Sequence, residues 1–170
     1  FQPFLARQGF VMLDGGLATE METHGADLDH DLWSAKMLIE APEIIRRVHT
    51  DFLRSGADVI ATATYQASFG GFEKAGYTHH QAKRLMRLSV DLALLARETF
   101  WAQSENRIGR LRPLVAASIG PYGASLHDGS EYHGNYGLDR QALIDFHRPR
   151  MELLAETEAD LFAFETIPSM

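Results

Sequence analysis

The chain has 170 residues, 45% of them hydrophobic, with 16 Lys and Arg against 23 Asp and Glu, a formal net charge of -7, and no cysteine. This composition suits one globular domain with a real core. It argues against nucleic-acid or anionic-membrane binding, which needs a basic face, and it rules out a disulfide framework or a thiolate metal site within these residues.

The elements follow in chain order. Residues 10–14 (FVMLD) read as a short buried strand. Residues 42–55 read as a helix: Pro42 suits its first turn, Ile44, Ile45, Val48, Phe52 and Leu53 recur at helical spacing, and Gly56 stops it. ADVIATATY (57–65) follows as a second buried strand. Residues 78–102 predict a long amphipathic helix with Thr78 as N-cap and Leu85, Leu88, Leu92 and Leu95 as its stripe. PLVAASIGP (113–121) is a third strand, followed by a loop rich in Gly, Tyr, Ser and His to about residue 138. Residues 139–157 are helical again, and ADLFAFETIP (159–168) is a fourth strand. No apolar stretch reaches the length of a membrane span and no secretory leader opens the chain, so a cytoplasmic location is expected. The chain starts at Phe1 rather than Met, so missing leading residues are expected.

Strands that are continuous apolar runs, alternating with helices, are the signature of a parallel sheet covered by helices. A faint repeat supports this: ADVIATAT (57–64) and ADLFAFET (159–166) each follow a helix and share Ala-Asp, two apolar residues, Ala and a closing Thr. Four βα units of roughly 50 residues fit either an open four-stranded α/β domain or the first half of a barrel, which takes eight.

In both architectures ligands bind where the strands end. The strand ends carry Asp14 with Gly15 and Gly16; Thr62, Thr64, Tyr65 and Gln66; Ser118 and Gly120; and Glu165 with Thr166. A carboxylate at the end of a buried strand is costly unless something pairs with it. Asp14 and Glu165 at one mouth therefore suggest a cationic group such as an ammonium. Asp14 also suits a helix cap or a turn, and the threonines and Ser118 also suit ordinary strand positions. The loop 120–137 holds Tyr122, Tyr132 and Tyr136, whose faces would attract a sulfonium or quaternary ammonium if the loop is more than surface packing. Trp33 fits a core or a ligand role equally. The eight histidines form no recognisable zinc spacing, and His79 and His80 open a helix, where they would be solvated.

Taken together, LDGGLATEME, DLWSAKML, SGADVIATATYQAS, VAASIGPYGASLHDGSEYHGNYG, FHRPRME and FAFETIP resemble the homocysteine S-methyltransferase family, in family order and over nearly the whole chain. The SIGPYGA, DGSEY and TYQAS forms are most similar to the branch using S-methylmethionine or S-adenosylmethionine. The resemblance implies a (β/α)8 TIM barrel, of which residues 1–170 supply about the first four βα units. It implies transfer of a methyl group from a sulfonium donor to the zinc-activated thiol of homocysteine, giving methionine. It further implies that Asp14 and Glu165 hold the amino acid's ammonium and that Thr62 lines the same pocket. Gly15 and Ser118 are placed with them in substrate binding, and Tyr122, Tyr132, Tyr136 and Trp33 with the methyl donor.

One feature departs from the family. Its zinc is held by three cysteines, and this chain has none. The ligands are expected after Met170, in a second half of the barrel, and the 170 residues alone are expected to be inactive. Such a half exposes two sheet edges and the inner strand face, so it should self-associate or need its missing half. The alternative is a non-catalytic half-barrel or oligomer that keeps part of an amino-acid pocket.

Overall fold

The structure, a computed structural model, describes residues 1–28 and 34–168. After two short helices, α1 (Gln2–Gln8) and α2 (Leu17–Thr23), and α3 (Ser34–Glu40), the chain alternates α4 (Pro42–Ser55), β1 (Val59–Ala61), α5 (Phe69–Lys74), α6 (His79–Ala102), β2 (Leu114–Ile119), α7 (Arg140–Ala155) and β3 (Leu161–Phe164). The three strands form one parallel sheet in the order β1-β2-β3, with Ile60 opposite Val115 and Ala117 opposite Phe162. This is an α/β fold with consecutive strands side by side. No helix among the described residues is long and apolar enough to cross a membrane.

The strand expected at residues 10–14 is reduced to one parallel bridge, Leu13 to Val59. Asp14 N donates to Val59 O and Val59 N donates to Met12 O, at 3.0 and 3.1 Å. The segment lies at the sheet edge and is not buried: Phe10, Met12 and Leu13 are exposed. Its remaining inner amide, Met12 N, donates to the Asp58 carboxylate at 2.9 Å rather than to a ladder.

That contact explains the repeat seen in the sequence. Asp160, the second copy of Asp58, accepts from Val115 N at 2.7 Å. Each Ala-Asp therefore begins a strand and uses its carboxylate to hold the amide of the preceding strand. Arg97 of α6, itself buried, donates to Asp160 at 2.5 Å and completes the second copy.

Helix ends follow their sequence signals. Gly56 ends α4 in the left-handed region at φ 111°. Thr78 and Gln81 form a reciprocal capping box at the start of α6, and the Asp139 side chain caps α7. Of the expected α6 stripe, Leu85, Leu88 and Leu92 pack on the core and Leu95 does not. Leu95 is exposed, while Ala82, Met86, Ser89, Val90, Ala93, Ala96 and Phe100 are buried along with Leu92. Small residues let the helix approach the sheet and α4 closely, and the leucines flank that seam. On β1 and β2, Ile60, Val115, Ala117 and Ile119 are fully buried and join the clusters beneath the helices. Alternate residues face the other way, as the pleat requires: Val59, Ala61, Ala116 and Ser118, with Ala163 of β3. They are mostly small, and they leave room for a cavity.

Candidate active site

A cavity of about 540 Å³ opens at the carboxyl ends of the strands. Its walls include Asp14, Gly15 and Gly16 from the first segment, Thr62 and Tyr65 after β1, Ser118 of β2, Tyr132 of the loop, and Glu165 and Thr166 after β3. Residues from five points of the chain thus meet in one place because the parallel strands all end on the same side.

Asp14 does not cap α2, whose N-cap is Gly16. Instead its Oδ2 accepts from Ala61 N at 2.7 Å, which ties the segment to the end of β1. Burial pushes the Asp14 carboxyl up to about 6, the charge of Glu165 adds to the rise, and the Ala61 amide opposes it. Gly15 lets the turn cross Phe52: a Cβ there would sit 3.0 Å from the ring. Glu165 accepts from Ser118 Oγ. It is exposed, contrary to the expectation of a carboxylate in a buried strand, because it follows β3, the edge strand of the sheet among the described residues. Among the described residues, no Lys, Arg or His forms an ion pair with either carboxylate.

The two buried threonines have committed hydroxyls. Thr62 Oγ1 accepts from Ser118 N at 3.0 Å, and Thr64 Oγ1 donates to Ser118 O at 2.8 Å. Each hydroxyl has one proton, so the 2.7 Å contact between them has Thr62 as donor. Together they clamp β1 to β2 directly beneath the cavity. Thr166 adopts φ 54°, a left-handed conformation that costs a β-branched residue roughly 1–3 kcal/mol. Its side chain stands with Tyr65 on the cavity wall.

Of the expected donor residues, Tyr132 stands on the cavity wall and is 78% exposed. Tyr122 packs edge-on against Tyr136 and Phe146, at 5.4 and 4.9 Å, between the loop and α7. Neither Tyr122 nor Tyr136 lines the cavity. Trp33 lies outside the described residues.

One supporting residue escaped the sequence reading. Arg150 of α7 is fully buried and donates to Ala67 O at 3.1 Å, to Gly120 O, and to His147 Nδ1 at 3.0 Å. Burial, and then the Arg150 charge, push His147 down to about 4, so at neutral pH it accepts as an uncharged ring. Arg150 thereby pins the segments that leave β1 and β2. Its signal was a second arginine beside a helical proline in FHRPRME, where a surface position would be the ordinary reading.

The cysteine-free chain offers no thiolate ligands, and the cavity walls hold only two carboxylates as metal-binding side chains, so zinc held by three thiolates does not fit these residues. The described residues bring together one three-ligand group, Glu20, His24 and Asp51, between α2 and α4, and it does not line the cavity. It is an ion-pair cluster, with His24 Nε2 3.1 Å from Asp51 and Arg54 also on Asp51.

Comparison with known proteins identifies the family. The family described as homocysteine S-methyltransferase matches residues 11–170. The chain is 52% identical over 169 residues to homocysteine S-methyltransferase YbgG of Bacillus subtilis, covering 99% of this chain and 54% of that protein. It is 51% identical to a selenocysteine Se-methyltransferase of Brassica oleracea, covering 95% of this chain and 49% of that protein. The structure of the homocysteine methyltransferase MmuM from Escherichia coli, in its metallated form, superposes with a TM-score of 0.91 at 48% identity, over 99% of this chain and 57% of that one. The chain thus spans about half the length of the relatives it matches, and it belongs to the homocysteine S-methyltransferase family.

Proposed function

We propose that these residues form the amino-acid-recognising half of a (β/α)8 barrel that transfers a methyl group from a sulfonium donor, S-methylmethionine or S-adenosylmethionine, to homocysteine, giving methionine. The observation that carries this reading is Asp14: a carboxylate pushed up to about 6, sharing its cavity with Glu165 and lacking a cationic ion-pair partner among the described residues. An ammonium is the group that relieves both. Asp14 and Glu165 hold it, Ser118 orients Glu165, Gly15 lets the turn pass, and Thr62 braces the strand ends. Tyr132 faces the sulfonium from the cavity wall, with Tyr122 and Tyr136 supporting the loop behind it.

In the reaction the homocysteine sulfur bonds to the methyl carbon as the donor's carbon–sulfur bond breaks. The electron pair returns to the donor sulfur and the thiol proton passes to solvent. Zinc would supply a thiolate at neutral pH. In this proposal its ligands belong to the part of the relatives' length that the chain does not span, and the 170 residues alone are inactive. The test is methionine formation by the full-length protein from L-homocysteine with each donor. Methionine production from a sulfonium supports the reading. Homocysteine left unmethylated by both donors would reject it and favour a non-catalytic amino-acid pocket.

A further inference from the structure

Three aromatic rings stand on the cavity wall, those of Tyr65, Tyr132 and Phe164, and they are held very differently. Tyr132 and Phe164 are 78% and 57% exposed. Tyr65 is half-buried, and its ring lies against the chain just after β2: a Cβ at Gly120 would sit 2.6 Å from its Cδ2 and Cε2. Gly120 N donates to Tyr65 O at 3.2 Å. The buried Arg150 then donates to Gly120 O and to Ala67 O, just beyond Tyr65 in the chain. Backbone and ring are thus pinned from both sides. Gly120 does not have the left-handed backbone that calls for glycine, so room for the Tyr65 ring is the physical reason for a glycine there. With one side of the ring against Gly120, the other is left to the cavity that also holds Asp14 and Glu165.

We infer that the Tyr65 ring receives the sulfonium of the methyl donor, an inference that rests on the methyl-transfer reading of this site. A sulfonium has no N–H to donate, so it gains no directed hydrogen bond from a carboxylate as an ammonium does. A ring face attracts it without one. The attraction is stronger where water is kept out, which favours the pinned, half-buried ring; Tyr132 on the exposed loop adds a weaker second one. The charge also vanishes in the reaction. The methyl carbon bonds to the homocysteine sulfur, the pair of the breaking carbon–sulfur bond goes to the donor sulfur, and the donor leaves as a neutral thioether. A wall that attracts cations therefore holds the donor and lets its product go.

The test uses the full-length, metal-loaded enzyme with S-methylmethionine as donor. The competitive inhibitor is its uncharged isostere, the amino acid with C–H in place of the sulfonium. Tyr65→Leu removes the ring. The expected result is a KM for S-methylmethionine raised about tenfold, the loss of one cation–ring contact. The isostere's Ki and the homocysteine KM should both stay within about twofold of wild type, because neither ligand brings a cation to the ring. An equal rise in donor KM and isostere Ki, an equal rise in homocysteine KM, or no rise in donor KM overturns the inference and leaves methyl transfer standing. A wild type that transfers no methyl group overturns both. If Tyr65→Leu fails to fold, Tyr65→Phe is compared with trifluorophenylalanine at the same position, which keeps the ring's shape and weakens its negative face. A higher donor KM with the fluorinated ring, at an unchanged Ki for the isostere, supports the inference, and an equal donor KM overturns it.

Discussion

Asp14 sits where a strand end, a turn and a cavity meet, and its environment makes a pH prediction. Its carboxyl rises from the ordinary 3.8 to about 6 on folding. The folded state therefore holds the proton more tightly than the unfolded chain. That stability is fully present below about pH 4 and is lost as pH climbs through 6. Asp14→Asn keeps an acceptor for Ala61 N and removes the charge. In the absence of substrate it should melt above wild type at pH 7.5, with the difference closing towards pH 4.5; thermal melts at the two pH values check this. A variant melting lower at both would mean that the charge stabilises the fold. Asp14 and Glu165 were legible as carboxylates that meet at one cavity, because carboxylates stand out at the ends of apolar runs. The exposure of Glu165 was not, because a sequence does not say which strand lies at an edge. Arg150 was hidden for a related reason: its partners, the carbonyls of Ala67 and Gly120, are backbone atoms that no residue type announces.

The loop elements around the site depend on two features of close packing. Arg150 satisfies two buried carbonyls, and Arg150→Met would leave both unpaired at about 1–3 kcal/mol each. A denaturant midpoint lowered to match is expected, and an unchanged midpoint would show that water replaces the guanidinium. Gly123→Ala places a methyl within 2.5 Å of Glu131 N, so the loop must move. This variant should lose donor affinity more than homocysteine affinity, measured by the two KM values. The elements with strong local signals were readable in advance: the α4 stop at Gly56, the Thr78–Gln81 box and the Asp139 cap all rest on chemistry within a few residues. The α6 face was legible in part: Leu85, Leu88 and Leu92 pack on the core, whereas the small residues of the close seam carry little hydrophobic signal and Leu95 is exposed.

At the scale of the molecule, the sheet has one side covered by helices and the other partly open. Phe10, Met12 and Leu13 at one edge, and Phe164 and Ile167 at the other, are exposed. Leu143, Ile144 and Met151 line a further groove on α7. Exposed apolar edges of this kind associate. The 170 residues expressed alone should sediment as dimers or larger species, and co-expression with the remaining half of a full-length relative should restore a single discrete particle. A monodisperse monomer would contradict the half-barrel reading. The α/β class was legible from alternation and from the Ala-Asp repeat, whose two carboxylates turn out to hold neighbouring strands together. The strand count was not: the 10–14 segment makes a single bridge because its inner amide goes to the Asp58 carboxylate. The most direct test of the central claim compares Asp14→Asn with wild type in the full-length enzyme, using homocysteine and its analogue without the amino group as acceptors. The account predicts a homocysteine KM raised about tenfold or more, as loss of one charged contact implies, with the analogue unaffected. Equal effects on the two acceptors would mean that Asp14 does not hold the ammonium.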